Sequence, residues 1–216
     1  DFGKELLAGL KEGLAGKGRV VSSGNCTAVS RECSGSKVAS LALWQDPRPV
    51  SLYQRTKAEA ERMVQEFARA HPETLARWYV VRAGWLYGAG RATFVDQFAE
   101  KLQRDESFEV IVNQWRSPTW TKDFASGLFD LLASGRESGV YHVANEVERG
   151  EASTLDVVEE IALALGLSRM RASLKLVLRE DIFKIPRAPS NVNKNTKLTK
   201  LGGWREDLPE YLEERV

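Results

Sequence analysis

The sequence predicts an α/β fold in which helices cover both faces of a parallel β-sheet. Short apolar runs rich in valine and isoleucine alternate along the chain with longer segments of helical period. This alternation is typical of parallel sheets, because the connection between two parallel strands usually contains a helix. The 216 residues, 43% of them hydrophobic, are enough for one large domain or two small ones.

Four buried strands are predicted, and helices separate them. The predicted strands are GRVVSS (18–23), WYVVRA (78–83), FEVIVN (108–113) and GVYHVAN (139–145). The predicted helices are FGKELLAGLKEGLA (2–15), a segment that begins near residue 51, TFVDQFAEKLQ (93–103), TKDFASGLFDLLASG (121–135), TLDVVEEIALALGL (154–167) and a terminal helix within 201–214. A polar connection, PRAPSNVNKNTK (186–197), leads into that terminal helix.

The charge balance argues against some classes of partner, and the cysteines argue against a metal site. Lysine and arginine total 31 against 30 acidic residues, with no dense basic run, so neither nucleic acid nor an anionic membrane is favoured as a partner. There is no apolar stretch of about 20 residues and no signal-peptide core in the first residues, which predicts a cytoplasmic protein. Cys26 and Cys33 have no neighbouring histidine or second cysteine pair, so we expect free thiols and no metal site.

The segment SLYQRTKAEAERMVQEF (51–67) carries Tyr53 and Lys57 four residues apart. Four residues make about one helical turn, so the ammonium group can lie near the phenol and lower a pKa that starts at about 10. Such a phenol can give a proton to a carbonyl oxygen while hydride reaches the carbon. The alternative is a partly buried tyrosine beside a surface lysine, because the four-residue spacing is weak on its own.

The apolar residues of this helix predict which side faces the core. We expect the face that holds Tyr53 and Lys57 to pack inward, together with Ala60, Val64 and Phe67. The charged residues predicted to turn outward are Glu59, Arg62 and Glu66.

Two hydroxyl residues, Ser22 and Ser23, end the first predicted strand. Ligands of open parallel sheets bind beyond the carboxyl ends of the strands, so both serines lie at the expected edge. A serine hydroxyl there could donate to the carbonyl oxygen that Tyr53 protonates. The alternative is a serine pair that makes local turn hydrogen bonds.

Taken in order along the chain, these motifs resemble the extended short-chain dehydrogenase/reductase superfamily, and within it most closely the dTDP-4-dehydrorhamnose reductase family. The matching elements are Ser22-Ser23, Tyr53 to Lys57, RAGWLYG (82–88), VNQWRSPTWTKDFA (112–125) and the late PRAPSNVNKNTKLTKLGGW (186–204). Taken in this order, the matching elements cover nearly the whole chain. The ordered set indicates the family far more specifically than any one of its elements.

The resemblance implies a role for each matching residue. Tyr53 would be the proton donor, and Lys57 would lower its pKa and bind the nicotinamide ribose of NADPH or NADH. Ser23 would orient the substrate carbonyl, with Ser22 beside the cofactor. Trp85 would line the sugar pocket, since a rigid ring suits the apolar face of a deoxysugar.

The loop that follows Trp115 is expected to face the nucleotide-sugar. Arg116 is a candidate for contact with the diphosphate, and Ser117 and Thr119 are candidates for contact with the substrate. We interpret Asp123 differently, as a first-turn residue that complements a helix dipole.

The chain also departs from the family pattern. It contains no Gly-x-x-Gly-x-x-Gly turn to bind a cofactor diphosphate, and Gly24 and Asn25 stand where the family has an aspartate and an aromatic residue. We therefore expect a fragment with an incomplete Rossmann-like sheet and an exposed sheet edge, which self-association or a partner would cover. In this interpretation, residues 1–112 belong to the dinucleotide-binding domain. Residues 113–216 are mainly a substrate-binding region, interleaved with the sheet through the strand near 139–145.

Three functions remain open at this point. The first is reduction of the 4-keto group of a dTDP-4-keto-6-deoxyhexose by NADPH or NADH. The second is a non-catalytic relative that acts as a regulatory or binding subunit. The third is another nucleotide-sugar epimerase or dehydratase of the superfamily.

Overall fold

The structure is a computed structural model that describes residues 18–24, 51–73, 77–148, 152–167, 174–185 and 187–215, the first of these ranges as backbone only. The predicted helix 2–15 and both cysteines lie outside the described residues. The strands are β1 (Gly18–Gly24), β2 (Arg77–Ala83), β3 (Trp85–Tyr87), β4 (Phe108–Ile111), β5 (Trp115–Arg116), β6 (Pro118–Trp120), β7 (Gly139–Val143), β8 (Leu174–Val177) and β9 (Ser190–Asn191). The helices are α1 (Leu52–Ala70), α2 (Phe94–Gln103), α3 (Thr121–Ala133), α4 (Thr154–Ala164), α5 (Arg179–Ile182) and α6 (Trp204–Glu214).

Among the described residues, three strands form the central sheet, in the order β1-β2-β7, and both pairings are parallel. The middle strand is apolar on both faces, with Val80 and Val81 fully buried. This arrangement confirms the predicted α/β fold with a parallel sheet. Beyond β1 no described strand pairs with the sheet, and the predicted partner at that edge stays a prediction.

The predicted strand FEVIVN forms as β4, but its predicted place in the central sheet is wrong. β4 pairs with β8 in a separate two-stranded sheet, and β8 was not predicted as a strand. Phe108 and Val110 are buried while Glu109 is exposed, so β4 is covered on one face only. A strand inside a parallel sheet is covered on both faces, as β2 is. The predicted domain boundary at residue 112 stays a prediction.

Helix α1 lies on the sheet by a different face from the one predicted. Its buried residues are Gln54, Glu61 and Ala68, which recur every seven residues, or two helical turns. Tyr53 and Phe67 are about half exposed, so the predicted inward face is wrong. The predicted outward residues are exposed and form ion pairs with one another, namely Glu59, Arg62 and Glu66.

Two apolar clusters hold the fold together. The smaller cluster lies between the central sheet and α3, and it includes Tyr79, Val81 and Leu131. The larger cluster joins α2, α4 and α6 to the short strands, with Trp204 and Leu208 of α6 among its most buried members. Helix α6 therefore belongs to the core, which confirms the predicted terminal helix. None of the helices in the described part combines the length and the apolar character that a membrane crossing needs.

Candidate active site

Tyr53 stands at the second position of α1, directly after a well-defined helix start. The Ser51 hydroxyl accepts a hydrogen bond from the backbone N–H of Gln54 at 3.2 Å, and the Gln54 side chain accepts one from the backbone N–H of Ser51 at 3.2 Å. This reciprocal capping satisfies two of the free N–H groups that a helix start leaves. It therefore fixes the turn that presents Tyr53.

The Lys57 ammonium lies above the ring of Tyr53, with 5.6 Å between Nζ and the ring centroid. The four-residue spacing thus brings the two side chains together, as the sequence predicts. Tyr53 is 55% exposed, so its phenol is accessible from solvent. The arrangement is that of an accessible proton donor beside a cation, and the catalytic roles of the two residues stay predictions.

Tyr53 lies near the carboxyl ends of the strands. Helix α1 directly precedes β2 and ends near the first residue of that strand. The N-terminal half of the helix therefore lies towards the carboxyl end of β2. Ser22 and Ser23 directly precede Gly24, the last residue of β1, and they are in register with Val81 and Arg82 of β2. Their side chains lie outside the described part, so their contact with Tyr53 stays a prediction.

Trp85 is stacked between two other side chains. Its ring lies 3.4 Å from that of Phe94, centroid to centroid, with an interplanar angle of 12°. The guanidinium carbon of Arg116 lies 4.3 Å from the Trp85 ring centroid. At these distances Phe94 and Arg116 cannot both lie on the same face of the Trp85 ring, so both faces of that ring are covered. A sugar can reach Trp85 at the indole edge, or at a ring face after Arg116 has moved away.

Arg116 is a largely buried cation that no described carboxylate neutralises. Its Nη2 donates to Oε1 of Gln114 at 2.8 Å, and its Nε is buried without a hydrogen-bond partner. Burial, and then repulsion from Arg187, lower the pKa of Arg116 to about 10. The guanidinium is still charged at neutral pH. Two arginines without a described counter-ion make this a place where an anion would be stabilised.

Ser117 and Thr119 are fully buried, and their hydroxyls hold the framework around Arg116. The backbone N–H of Asn193 donates to the Ser117 hydroxyl at 2.9 Å, while the Asn193 side chain donates to the Ala83 carbonyl at 2.6 Å. The Thr119 hydroxyl donates to the Ser117 carbonyl at 3.1 Å. Direct contact with a substrate would need this loop to open, and the predicted substrate-binding role of both residues stays a prediction.

Asp123 lies in the first turn of α3, as expected, but it also belongs to a buried polar cluster. The side-chain NH₂ of Asn145 donates to Oδ2 of Asp123 at 2.5 Å and to Oδ2 of Asp207 at 2.7 Å. Burial, and then the hydrogen bond with Asp123, raise the pKa of Asp207 to about 7. This cluster ties α3, the end of β7 and α6 together.

The sequence reasoning missed Arg187, Asn145 and Asp207. Asn145 is a polar residue at the end of the predicted apolar strand GVYHVAN, which is the signal that drew attention to Ser22 and Ser23. Asp207 looks like any exposed acid in the first turns of a helix, so no pattern marks it. Arg187 lies in a polar connection whose course the periodicity of the sequence does not predict.

The family model for the RmlD substrate binding domain matches residues 34–216 of the chain. The chain belongs to this family. The match includes Tyr53, Lys57 and the Arg116 loop, and it confirms the resemblance drawn from the motifs.

Relatives of this RmlD-family chain are known from several bacteria. It is 31% identical over 140 residues to the spore coat polysaccharide biosynthesis protein SpsK of Bacillus subtilis, a match that covers 63% of this chain and 47% of SpsK. It is 34% identical over 119 residues to dTDP-4-dehydrorhamnose reductase of Mycolicibacterium smegmatis, a match that covers 55% of this chain and 33% of that protein. The chain thus spans about half or less of the length of these relatives.

The fold of the RmlD-family chain is also found in solved structures. It superposes on dTDP-4-dehydrorhamnose reductase of Bacillus anthracis, solved in complex with NADP, with a TM-score of 0.71 at 21% sequence identity. The superposition covers 93% of this chain and 67% of that protein. This likeness confirms the Rossmann-like fold.

Proposed function

We propose that the whole protein reduces the 4-keto group of a dTDP-linked 4-keto-6-deoxyhexose to an alcohol, with NADPH or NADH as the reductant. The observation that carries the proposal is the accessible Tyr53 phenol beside the Lys57 ammonium. The names of the relatives support the same reaction, since the matched proteins include dTDP-4-dehydrorhamnose reductases. Such a reaction would take place in the cytoplasm.

Tyr53 and Lys57 fit the nicotinamide end of a dinucleotide. A phenol and an ammonium group, both accessible from one side of α1, can donate hydrogen bonds to ribose hydroxyls. The dinucleotide supplies the hydride that reduces the keto carbon. We assign Ser22 to the cofactor side of this site and Ser23 to the substrate side, as the family resemblance implies.

The proton of the reduction comes from Tyr53. As the keto carbon gains a hydride, its oxygen becomes an alkoxide, and the Tyr53 phenol gives this oxygen a proton. The Lys57 ammonium stabilises the phenolate that remains. The hydroxyl of Ser23 donates to the same oxygen and stabilises the developing charge.

Arg116 and Arg187 suit the diphosphate of the substrate. Both carry a positive charge, and the buried Nε of Arg116 lacks a partner that a phosphate oxygen could provide. Trp85 stands directly beside Arg116, so a sugar attached to that diphosphate would reach the edge of the indole ring. Ser117 and Thr119 support this site by holding the loop that carries Arg116.

The test is Tyr53→Phe in the whole protein, assayed as oxidation of NADPH or NADH by a dTDP-4-keto-6-deoxyhexose. Loss of the proton donor should lower kcat by a factor of about 100 or more. Tyr141→Phe is the matched control, because that hydroxyl donates to the Glu137 carbonyl at 2.6 Å, near the other end of the sheet.

Unchanged turnover in Tyr53→Phe would refute the assigned proton donor. No turnover by the wild type on any keto-sugar, together with recovery of a stoichiometric enzyme partner, would favour the non-catalytic alternative.

A further inference from the structure

A buried ion pair joins the tyrosine helix to the central sheet. Glu61 of α1 and Arg82 of β2 have side chains that are 5% and 4% exposed. Nε of Arg82 donates to one carboxylate oxygen at 2.9 Å, and Nη2 donates to the other at 2.6 Å. This two-point contact defines both a distance and an angle, because the planar guanidinium matches the planar carboxylate.

His142 of β7 completes the setting of Arg82. Its Nε2 lies 3.2 Å from Nη1 of Arg82, and it accepts this hydrogen bond because a guanidinium can only donate. Burial, and then the charge of Arg82, lower the pKa of His142 to about 4, so the ring is neutral at physiological pH. Arg82 is thus held from two sides, by a carboxylate above the sheet and by an imidazole on the neighbouring strand.

Arg82 also stands in register with the residue expected to meet the substrate. Across the sheet, Ser23 of β1, Arg82 of β2 and His142 of β7 occupy one row. Glu61 lies one turn beyond Lys57 and two turns beyond Tyr53 on the same helix. Tyr53 therefore lies about 12 Å along the helix axis from the point where the helix is attached to this row.

The contact face of α1 contains no fully buried large apolar residue. Its other buried residues are Gln54, which caps the helix start, and Ala68, which has a single methyl group. Small or flexible contacts of this kind allow a helix to slide or turn by an ångström at low cost. A bidentate ion pair does not, since a shift of that size breaks one of its two hydrogen bonds.

We propose that the Glu61–Arg82 ion pair positions α1. It fixes the place of the helix along its axis and its rotation about that axis, so that Tyr53 lies beside the end of β1. Neither residue touches the substrate. The inference rests on the proposed function for its effect on turnover, but the placement of the helix can be measured without turnover.

The first test replaces the ion pair by an apolar pair of similar size, Glu61→Leu with Arg82→Met, in the whole protein. Apolar replacements of buried ion pairs are often neutral or stabilising, so the double variant should keep its melting temperature. A helix misplaced by about 1 Å should still lower kcat by a factor of about 10 to 100, with the KM for the keto-sugar changed less than about threefold. The matched control is Glu59→Gln with Arg62→Gln, an exposed ion pair on the same helix.

Full kcat in a folded double variant would overturn the proposal. If the double variant does not fold, Glu61→Asp decides, because it keeps the charge but shortens the side chain by one methylene group. The positioning role predicts a lower kcat for Glu61→Asp at an unchanged melting temperature, and full kcat would overturn it.

The second test measures the position of α1 directly. Spin labels are attached at Arg55→Cys on α1 and Asp130→Cys on α3, both exposed positions, with Cys26 and Cys33 changed to serine. The distance between the labels should shift by about 1 Å, or its distribution should broaden, when the ion pair is replaced. Superimposable distributions would overturn the proposal. A shifted helix in a protein without keto-sugar turnover would instead refute the proposed function and leave the positioning role standing.

Discussion

Replacing Asp207 by asparagine should stabilise the protein at neutral and alkaline pH. The orientation of the Asn145 amide is determined by its Oδ1, which accepts from the Trp120 N–H at 3.0 Å. Its NH₂ group therefore has two protons for three acceptors, namely Asp123, Asp207 and the Gly202 carbonyl at 3.1 Å. Two carboxylates that share too few donors hold a proton between them.

The size of the effect follows from the pKa of Asp207, which rises from an ordinary 3.8 to about 7. Glu206 and Glu210 on the same helix add to the negative field, after burial and Asp123. A pKa difference of about 3 corresponds to about 4 kcal/mol, which solvent screening of this partly exposed side chain reduces to about 2 kcal/mol. Between about pH 4 and 7 the folded protein holds a proton that the unfolded chain has lost. The free energy of unfolding therefore falls as pH rises through this window.

Asparagine at position 207 removes this loss of stability, because it does not ionise. Its NH₂ group can donate to Asp123 in place of the shared proton. Urea unfolding from pH 4 to pH 8 should show an advantage of Asp207→Asn that grows from near zero to about 2 kcal/mol. Glu213→Gln removes an exposed carboxylate from the same helix and is the control, with no such trend expected. An advantage independent of pH, or a destabilised variant at pH 8, would refute the assignment of a shared proton.

Gly84→Ala and Tyr211→Phe test the packing around the candidate site, with Gly139→Ala and Tyr79→Phe as their controls. All four are measured by urea unfolding. Gly84→Ala should lower the free energy of unfolding by about 3 kcal/mol, because the added Cβ would lie 2.2 Å from a buried hydroxyl oxygen. Gly139→Ala, whose added Cβ has its nearest neighbour at 3.7 Å, should change it little. Tyr211→Phe loses a hydrogen bond of 2.8 Å to the Asp96 carboxylate and should cost about 2 kcal/mol. Tyr79→Phe loses a bond to a neutral carbonyl and should cost about 1 kcal/mol, so equal losses would contradict the role of the charge.

Much of the fold could be predicted because buried strands and amphipathic helices leave local patterns. The apolar runs at 18–23, 78–83 and 139–145 form the three strands of the central sheet. Periodicity does not specify which strands pair, and this is why β4 was assigned to the wrong sheet. Its partner β8 has only four residues, and the two in the middle, Lys175 and Leu176, are exposed.

The candidate site was predictable to the extent that a local motif encodes it. The spacing of Tyr53 and Lys57 is enough to bring their side chains together. The face on which α1 packs was not predictable from apolar residues, since that face carries Gln54 and Glu61. The buried face of the helix carries a tertiary ion pair and the helix cap, where its hydrophobic pattern would place apolar residues.

A charged residue inside an apolar strand is nevertheless a signal that sequence reasoning can use. WYVVRA places Arg82 in a strand buried on both faces, and a buried guanidinium needs a carboxylate nearby. Glu61, 21 residues earlier on the preceding helix, provides it.

Arg116 is a second buried guanidinium, but no described carboxylate neutralises it. This guanidinium is also largely buried, but the described charge that acts on its pKa is that of a second arginine, Arg187, instead of an acid. Its buried Nε has no hydrogen-bond partner among the described residues. A cation that the described part of the chain leaves without a counter-ion can be stabilised by an anion, and the proposed function places the diphosphate of the nucleotide-sugar there.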